Sequence, residues 1–398
     1  MRRIRIVGAG ECGLPLAHRL LAGGAEVTVV TDRDSEAVLS GSITSTQVKF
    51  PPALDLESAA GLDCWRSAAP QIAGIRFTMV VDRAVAMQWS GRFTRPARSV
   101  DQRTVFGRWL RAFADAGGKL SIATPTVAEI DRGTADYDLT VVTRADRELA
   151  ACFPADSAWG LPPRPQRQLA ALYLDGVVPD PDELGTYVTL PGTGEVISYP
   201  GLTGRPGTER RCEMVLIEAR PGGPMDVFGG VGDPGERLRL ARGLLDRLLP
   251  PALADRYREA ELTDAGATLV GAVTPVMRRP VGTLPSGAVV LGGGDVVCRM
   301  DPGGAQGANS AVHCGFRYGE AILRHAHGPF DRDWMIAAAE PWLTDTAYPA
   351  ARWTATVLDP PGPMQELMLA AAEDSRLADG FADTFARPAN MTELAVGI

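Results

Sequence analysis

Lysine is almost missing: of 40 basic residues in a chain of 398, only Lys49 and Lys119 are lysines. The 48 acidic residues bring the net charge to −8, and no basic stripe with interleaved aromatics occurs. A nucleic-acid partner is therefore not expected. Histidine is scarce at four, and the six cysteines (12, 64, 152, 212, 298 and 314) contain no CxxC pair. Such scattered thiols suit a reducing compartment and argue against a disulfide framework or a zinc ribbon. His325 and His327 have no carboxylate pattern beside them, so they read as a helix-end surface pair and no metal is expected. The apolar runs are too short to span a bilayer, which leaves no membrane partner. Ser-His-Asp, Cys-His and paired-carboxylate constellations are also lacking. The chain enters strand and glycine turn almost immediately, so we expect no leader segment and a cytoplasmic location.

Glycine, by contrast, is plentiful, with 44 residues, and two glycine-rich segments carry most of the chemistry. Gly8-Ala-Gly10-Glu11-Cys12-Gly13 follows an apolar strand, Arg3–Val7, and opens a helix over Leu14–Ala22 that Gly23-Gly24 ends. A second strand, Glu26–Val30, completes a βαβ start. In that context the first glycine permits the tight turn, the second lets backbone approach a pyrophosphate, and the third allows close helix–strand packing. An acidic residue should then hold the adenosine ribose. Asp32, nineteen residues after Gly13, is that candidate; a register shifted by one would offer Thr31 instead. Arg33 either lies against adenine or phosphate or belongs to the solvated surface.

The second segment, Gly294-Asp295 through Pro302-Gly303-Gly304 to Gln306-Gly307-Ala308-Asn309, follows a short apolar strand at Ala288–Leu291. Asp295 suits a hydrogen bond to a polyol such as a ribityl chain. Pro302 and the two glycines bend the backbone so that it can approach a flat ring. Gln306–Asn309 opens a helix whose N-terminal amides can stabilise negative charge on a reduced flavin. One such loop indicates a nucleotide, and the two together indicate FAD.

Between the two loops lies a loop at 41–60, then strand-like alternation over 71–97. A helix follows over 101–116 and a buried strand over Asp138–Thr143. Four strand-like segments between 161 and 230 (Ala170–Leu174, Tyr187–Leu190, Glu195–Tyr199, Cys212–Glu218) are separated by Pro/Gly turns and predict an antiparallel sheet. A helix pair is expected at about 234–257. The fold class is α/β: a Rossmann-like FAD-binding domain with a second lobe built on an antiparallel β-sheet. The FAD-binding domain is discontinuous (1–70, 98–160, 270–335). The substrate domain takes 71–97 and 161–269, and a helical region takes 336–398.

These residues resemble the FAD-dependent monooxygenases of the p-hydroxybenzoate hydroxylase fold, and within them the oxygenase component of two-component styrene and indole monooxygenases. The resemblance is carried by Ile-Val-Gly-Ala-Gly-x-x-Gly-Leu at 6–14, Val-Thr-Val-Val-Thr-Asp-Arg at 27–33, Ser40-Gly41 and Arg98-Ser-Val-Asp-x-Arg103. Tyr137-Asp-Leu-x-Val-Val142, Gly294-Asp295 and Asp301-Pro-x-x-x-Gln-Gly-Ala-Asn309 complete it. Single-component hydroxylases of the fold usually carry an Asp-Gly motif after the strand at 138–143; here the segment is Thr143-Arg-Ala-Asp-Arg147. They also tend to have His after the downstream Gly-Asp, where this chain has Val-Val-Cys298. The resemblance therefore implies reduced FAD delivered by a separate NAD(P)H:flavin reductase, with no NADPH bound here. Arg103 would reach the FAD diphosphate or make a surface ion pair.

The family's chemistry is reaction of reduced FAD with O2 to a C4a-(hydro)peroxyflavin. That species transfers one oxygen to an electron-rich substrate, and the reactive group belongs to the cofactor. The family's Asn-Thr pair after Ser-Gly is replaced by Ile43-Thr-Ser-Thr-Gln47, so Ser45, Thr46 or Gln47 takes that place beside Pro302 and Gly303 at the reacting centre. Ile43, Met79, Met87, Trp89, Tyr187, Tyr199 and Met214 are candidate substrate-pocket walls. Expected partners are a small aromatic or alkene substrate and the reductase, and a homodimer is compatible with the sequence. Oxygen could land on a C=C bond, sulfur or nitrogen. Two rival classes are a single-component NAD(P)H-dependent hydroxylase and a non-catalytic FAD-binding protein. A flavin halogenase would show a Trp-x-Trp-x-Ile-Pro segment, which this sequence lacks.

Overall fold

The computed structural model describes residues 1–391. Five short apolar segments line up as parallel strands: Lys119–Ile122 (β5), Glu26–Thr31 (β2), Arg3–Val7 (β1), Leu139–Val142 (β6) and Val289–Gly292 (β15). Val281–Thr283 (β14) closes the far edge antiparallel to β15. The inner strands β6 and β15 are covered on both faces and read as nearly unbroken Val/Leu, whereas the edge strand β5, Lys-Leu-Ser-Ile, is largely exposed. Ile4, Ile6, Val7, Val141 and Val142 are all buried. The strands come from both ends of the chain, and that places the two glycine segments side by side.

The helix Gly13–Ala22 joins β1 to β2 and packs against the long helix Gly307–Arg324. Their closeness depends on glycine: a Cβ on Gly315 would stand 2.5 Å from the carbonyl oxygen of Cys12. Both helices thus begin near the same space, each presenting unpaired N-terminal amides to it.

The second sheet runs Glu261–Leu262 (β11), Gln168–Asp175 (β7), Arg210–Ala219 (β10), Gly194–Thr203 (β9), Leu184–Leu190 (β8), Gln71–Val81 (β3) and Ala84–Arg98 (β4). Thr268–Ala272 (β12) also pairs with β7. Its junctions are antiparallel except for β3 on β8, which is parallel. The segment 71–98, early in sequence, therefore completes a sheet made mostly of residues 168–272. Val276–Met277 (β13) and Cys298–Arg299 (β16) form a separate two-stranded ladder. Period-two alternation divides the large sheet's faces. Val215 and Ile217 join the core under the helix Pro234–Leu248, whereas Met214 and Leu216 face the aromatic core on the other side. The helix pair expected at about 234–257 consists of Pro234–Leu248 and, after Pro250, the short turns Pro251–Ala254 and Asp255–Tyr257.

The last helices, Arg332–Trp342, Tyr348–Leu358, Gly362–Ala370 and Ser375–Ala386, pack back on the body; residues 392–398 of the expected helical region lie outside the described residues. Ser375–Ala386 lies along β4. Asp379 accepts from the Arg92 amide at 2.6 Å and Asp383 from the Thr94 amide at 2.8 Å, occupying donors that an edge strand would leave open. The docking also sets Phe381 and Phe385 against the sheet's aromatic face.

Candidate functional site

The two glycine segments line one cleft of about 480 Å³. Gly10, Glu11 and Cys12 lie on one side, and Gly294, Asp295 and Pro302 through Ala308, less Gly303 and Gly304, on another. Thr44–Gln47 forms a third wall. The geometry fits a dinucleotide. No heavy atom lies within 4 Å of where a Cβ on Gly10 would sit, so backbone there meets open space. A Cβ on Gly13 would lie 2.0 Å from the Gly8 carbonyl oxygen, so only glycine permits this turn. Asp295 is exposed to the cleft, and its carboxylate makes no hydrogen bond to the described residues. It is free to accept from hydroxyl groups of a bound polyol.

Other expected cofactor residues play different parts. Gly8 and Gly13 shape the turn without lining the cleft, and the Thr143 hydroxyl donates to the Gly8 carbonyl at 3.1 Å. This threonine begins the segment where the Asp-Gly motif would lie, and Asp146 there caps a short helix and pairs with Arg144. Thr31 is buried with its hydroxyl donating to the Arg33 carbonyl, while Asp32 is exposed and lies 3.8 Å from the Arg33 guanidinium. Thr31, Asp32 and Arg33 sit beyond the cleft lining at the end of β2.

Arg103 does not line the cleft. Its guanidinium is held by Asp101 at 2.7 Å and Asp264 at 2.8 Å and also donates to the Gly41 carbonyl. With two carboxylates already satisfying its charge, it braces loops rather than a diphosphate. Gln306 and Asn309 are likewise committed to backbone. Gln306 donates to the carbonyls of Gly304 and Phe385. Asn309 accepts from the Phe50 amide and donates to the carbonyls of Val48 and Ala305, clasping the 44–50 loop to the 302–305 turn. Gly307 and Ala308 remain open to the cleft.

Lys49, one of the two lysines, forms a buried charge group with the glycine loop: its ammonium lies 2.8 Å from Glu11 and 2.5 Å from Glu57. Burial alone would lower the Lys49 pKa, but the two carboxylates more than reverse it and keep the side chain charged. Burial raises Glu57 to about 7 against the pull of Lys49. Gln102 donates to the other oxygen of Glu11 at 3.2 Å. The acidic residue of the glycine loop is thus neutralised from behind. The motif spacing revealed Glu11, but nothing local revealed Lys49.

Thr46, Gln47, Leu216, Pro302 and Ala305 border the cleft and also a second, smaller chamber of about 60 Å³. Its other walls include Phe50, Ile72, Ile75, Phe93, Tyr187, Tyr199, Ile197 and Phe385, with Gly303 at its edge and no charged side chain. Gln47 is fixed by an amide donated to the Val100 carbonyl, and the Ser45 carbonyl accepts from Tyr173 at 2.7 Å. Of the expected pocket walls, Tyr187 and Tyr199 line this chamber; Ile43, Met79, Met87, Trp89 and Met214 do not. Trp89 stacks on Phe77 at 5.0 Å and meets the edge of Phe381 at 5.2 Å, so the C-terminal helix covers it. Met214 is fully buried beneath Gly201, and Ile43 binds the Gly266 carbonyl through its amide inside the same core. Phe50, Phe93, Leu216 and Phe385 were not anticipated. The strand alternation could have indicated Leu216, opposite in phase to Val215, but nothing local indicated Phe385.

Among the described residues no three His, Cys, Asp or Glu side chains are grouped to hold a metal. His325 packs on Phe330 and Trp334. No described helix is long and apolar enough to cross a membrane.

Residues 146–256 match the family model described as "Styrene monooxygenase A putative substrate binding domain". The chain is 29% identical to styrene monooxygenase StyA of Pseudomonas fluorescens over 400 residues, covering 97% of this chain and 93% of that one. It is 28% identical to a StyA of a Pseudomonas species over 404 residues, with the same coverage. Among solved structures, the flavin-dependent brominase Bmp2 aligns over 100% of this chain and 98% of its own, with TM-score 0.66 and 13% identity. A variant of 2-methyl-3-hydroxypyridine-5-carboxylic acid oxygenase aligns over 98% of both chains, with TM-score 0.61 and 14% identity. These two likenesses are of fold.

Proposed function

We propose that this chain, an FAD-dependent monooxygenase of the p-hydroxybenzoate hydroxylase fold similar to the styrene monooxygenases, adds one oxygen atom to a small, uncharged aromatic or alkene substrate with reduced FAD from a separate NAD(P)H:flavin reductase. The observation that carries this reading is the junction of the cleft lined by both glycine segments with an aromatic chamber bearing no charged wall. A carboxylate or phosphate on the substrate would enter that chamber unpaired and at high cost. Styrene, indole and aryl sulfides meet the requirement.

Reduced FAD, when bound, supplies the electrons that activate O2, so that one oxygen atom enters the substrate and the other leaves as water. The protein's task is to hold the cofactor, admit the substrate and exclude bulk water. Asp295 would accept from the ribityl chain, the amides at Gly10–Gly13 would face the pyrophosphate, and Asp32 or Thr31 would hold the ribose. The amides at the start of the helix Gly307–Arg324 would stabilise negative charge on the reduced ring. Thr46, Gln47, Pro302 and Gly303 form the boundary across which the oxygen atom passes. The free chamber space is well below the roughly 150 Å³ of a cavity that takes benzene. Substrate entry therefore requires wall side chains such as Phe385 to shift.

The test supplies the purified chain with FAD, an unrelated flavin reductase and NADH, and screens styrene, indole and aryl sulfides by mass spectrometry. The expected result is a singly oxygenated product that is absent when either protein is omitted. Peroxide without any oxygenated product overturns the reading.

A further inference from the structure

Behind the Asp301–Gly304 turn lies a polar cluster that the scheme above does not use. Glu218, on β10, is fully buried, and neither of its carboxyl oxygens has a hydrogen-bond donor among the described residues. It presses on the turn itself: a Cβ on Gly303 would lie 2.6 Å from Glu218 Oε2. Asp301 is buried too. Its Oδ1 accepts from the Gly303 amide at 3.1 Å, while its Oδ2 has no donor among the described residues. The two carboxyl groups adjoin within hydrogen-bonding reach.

The other charged and titratable groups facing Glu218 are Arg167 from the segment before β7, Glu195 from β9, and the Tyr187 and Tyr199 hydroxyls from β8 and β9. Arg167 is committed elsewhere: it binds Glu195 through two hydrogen bonds of 2.6 and 2.8 Å and the Leu358 carbonyl at 3.0 Å. The Tyr187 hydroxyl has no hydrogen-bond partner among the described residues. Three acids thus share one cation that is already paired. Ionising both Glu218 and Asp301, with only the Gly303 amide donating to the pair, would be prohibitively costly, whereas one neutral acid donating to its neighbour relieves both.

Resting on the function proposed above, we propose that Glu218 is a positioning residue for oxygen transfer. As the neutral acid it donates a hydrogen bond to Asp301 and locks the Asp301–Gly304 turn that borders both cleft and chamber. Ionisation of Glu218 releases the turn and uncouples flavin oxidation from substrate oxygenation. Burial raises Glu218 well above the ordinary carboxylate range, with Asp301 and Glu195 adding to the effect, and burial raises Asp301 to about 6. The lock therefore holds from about pH 6 upward, with Asp301 ionised and Glu218 neutral, and fails as rising pH strips the Glu218 proton. Because the folded state holds that proton more tightly than the unfolded chain, stability falls as pH rises from the ordinary carboxylate range up to the raised Glu218 value, where the lock fails.

Two readouts test this, and one needs no cofactor. In flavin-free E57Q, which lacks the other carboxyl that is half-protonated near pH 7, infrared spectra at neutral pH in H2O and D2O should show a protonated-carboxyl stretch that adding E218Q weakens; a band identical with and without E218Q overturns the proposal. With reductase and substrate, the ratio of product to peroxide should fall as pH becomes alkaline in the wild type. E218Q, whose amide donates at any pH, should keep the neutral-pH ratio throughout. E218L, which cannot donate, should lower the ratio by roughly tenfold at neutral pH. A wild-type profile shared by E218Q, or an unaffected E218L, overturns the positioning role. A wild type that oxygenates nothing overturns the functional reading and the role in transfer with it, whereas the infrared band reports on the shared proton regardless.

Discussion

The cleft and the chamber meet at one turn yet are built in opposite ways. The cleft is a local construction: two short loops, each between a strand and a helix, expose backbone and leave Asp295 unpartnered for a ligand. The chamber is assembled from the 46–50 loop, five strands, the 302–305 turn and the helix Ser375–Ala386, and it exposes side chains. On the function proposed above, the first arrangement recognises FAD. The second can change its substrate through single side chains while the cofactor site stays intact.

The largest expected effect comes from the cleft. In G13V the new Cβ meets the Gly8 carbonyl oxygen at 2.0 Å, and because the backbone fixes where Cβ sits, no rotamer change relieves the clash. We expect FAD affinity to drop by about 100-fold or more, measured by fluorescence quenching of the flavin, with the chamber unaffected. Next is Lys49→Met, which leaves Glu11 and Glu57 buried without their cation. Loss of one partner of such a group costs about 3–5 kcal/mol, to be read from chemical denaturation. The same group gives a pH signature. Glu57 at about 7 in the folded chain lies above its ordinary 4.5, so stability should fall as pH rises across that interval, and E57Q should remove this part of the slope.

Phe385→Ala probes the other half. It removes a ring packed on Trp353 at 4.8 Å and should cost about 3–5 kcal/mol of stability. It should also admit bulkier aryl substrates while leaving FAD affinity within about twofold. A parallel loss of FAD binding in the folded variant would show that the two regions are not separable. The smallest effect concerns the ribose: Asp32→Ala should weaken FAD binding by about tenfold and Thr31→Val by less than threefold or so. The reverse order would assign the ribose to Thr31.

The same contrast explains what could be read from the sequence. The β1–helix–β2 start, the strand before Gly294 and the helix after Gln306 are local signals, since glycine spacing and apolar periodicity act over a few residues. Arg103 and Asn309 show the limit of such signals: their residue types suit a diphosphate or a flavin edge, but the fold brings Asp264, Phe50 and Val48 to them first. Trp89 failed as a pocket wall for a similar reason. The helix that covers it lies almost three hundred residues downstream, held there by the Asp379 and Asp383 bonds to β4 and by the packing of Phe381 and Phe385. Glu218 sits at an inward strand position where an apolar residue is the rule, and the sequence holds no sign that Asp301 would share its proton.

The most direct measurement is a single turnover without pyridine nucleotide. The purified chain is mixed anaerobically with photoreduced FAD and styrene, then exposed to 18O2. The account expects one labelled oxygen in the product, with no NADH or NADPH present. Labelled product that appears only when NAD(P)H is added, or labelled peroxide with no oxygenated styrene or indole in parallel runs, would contradict it.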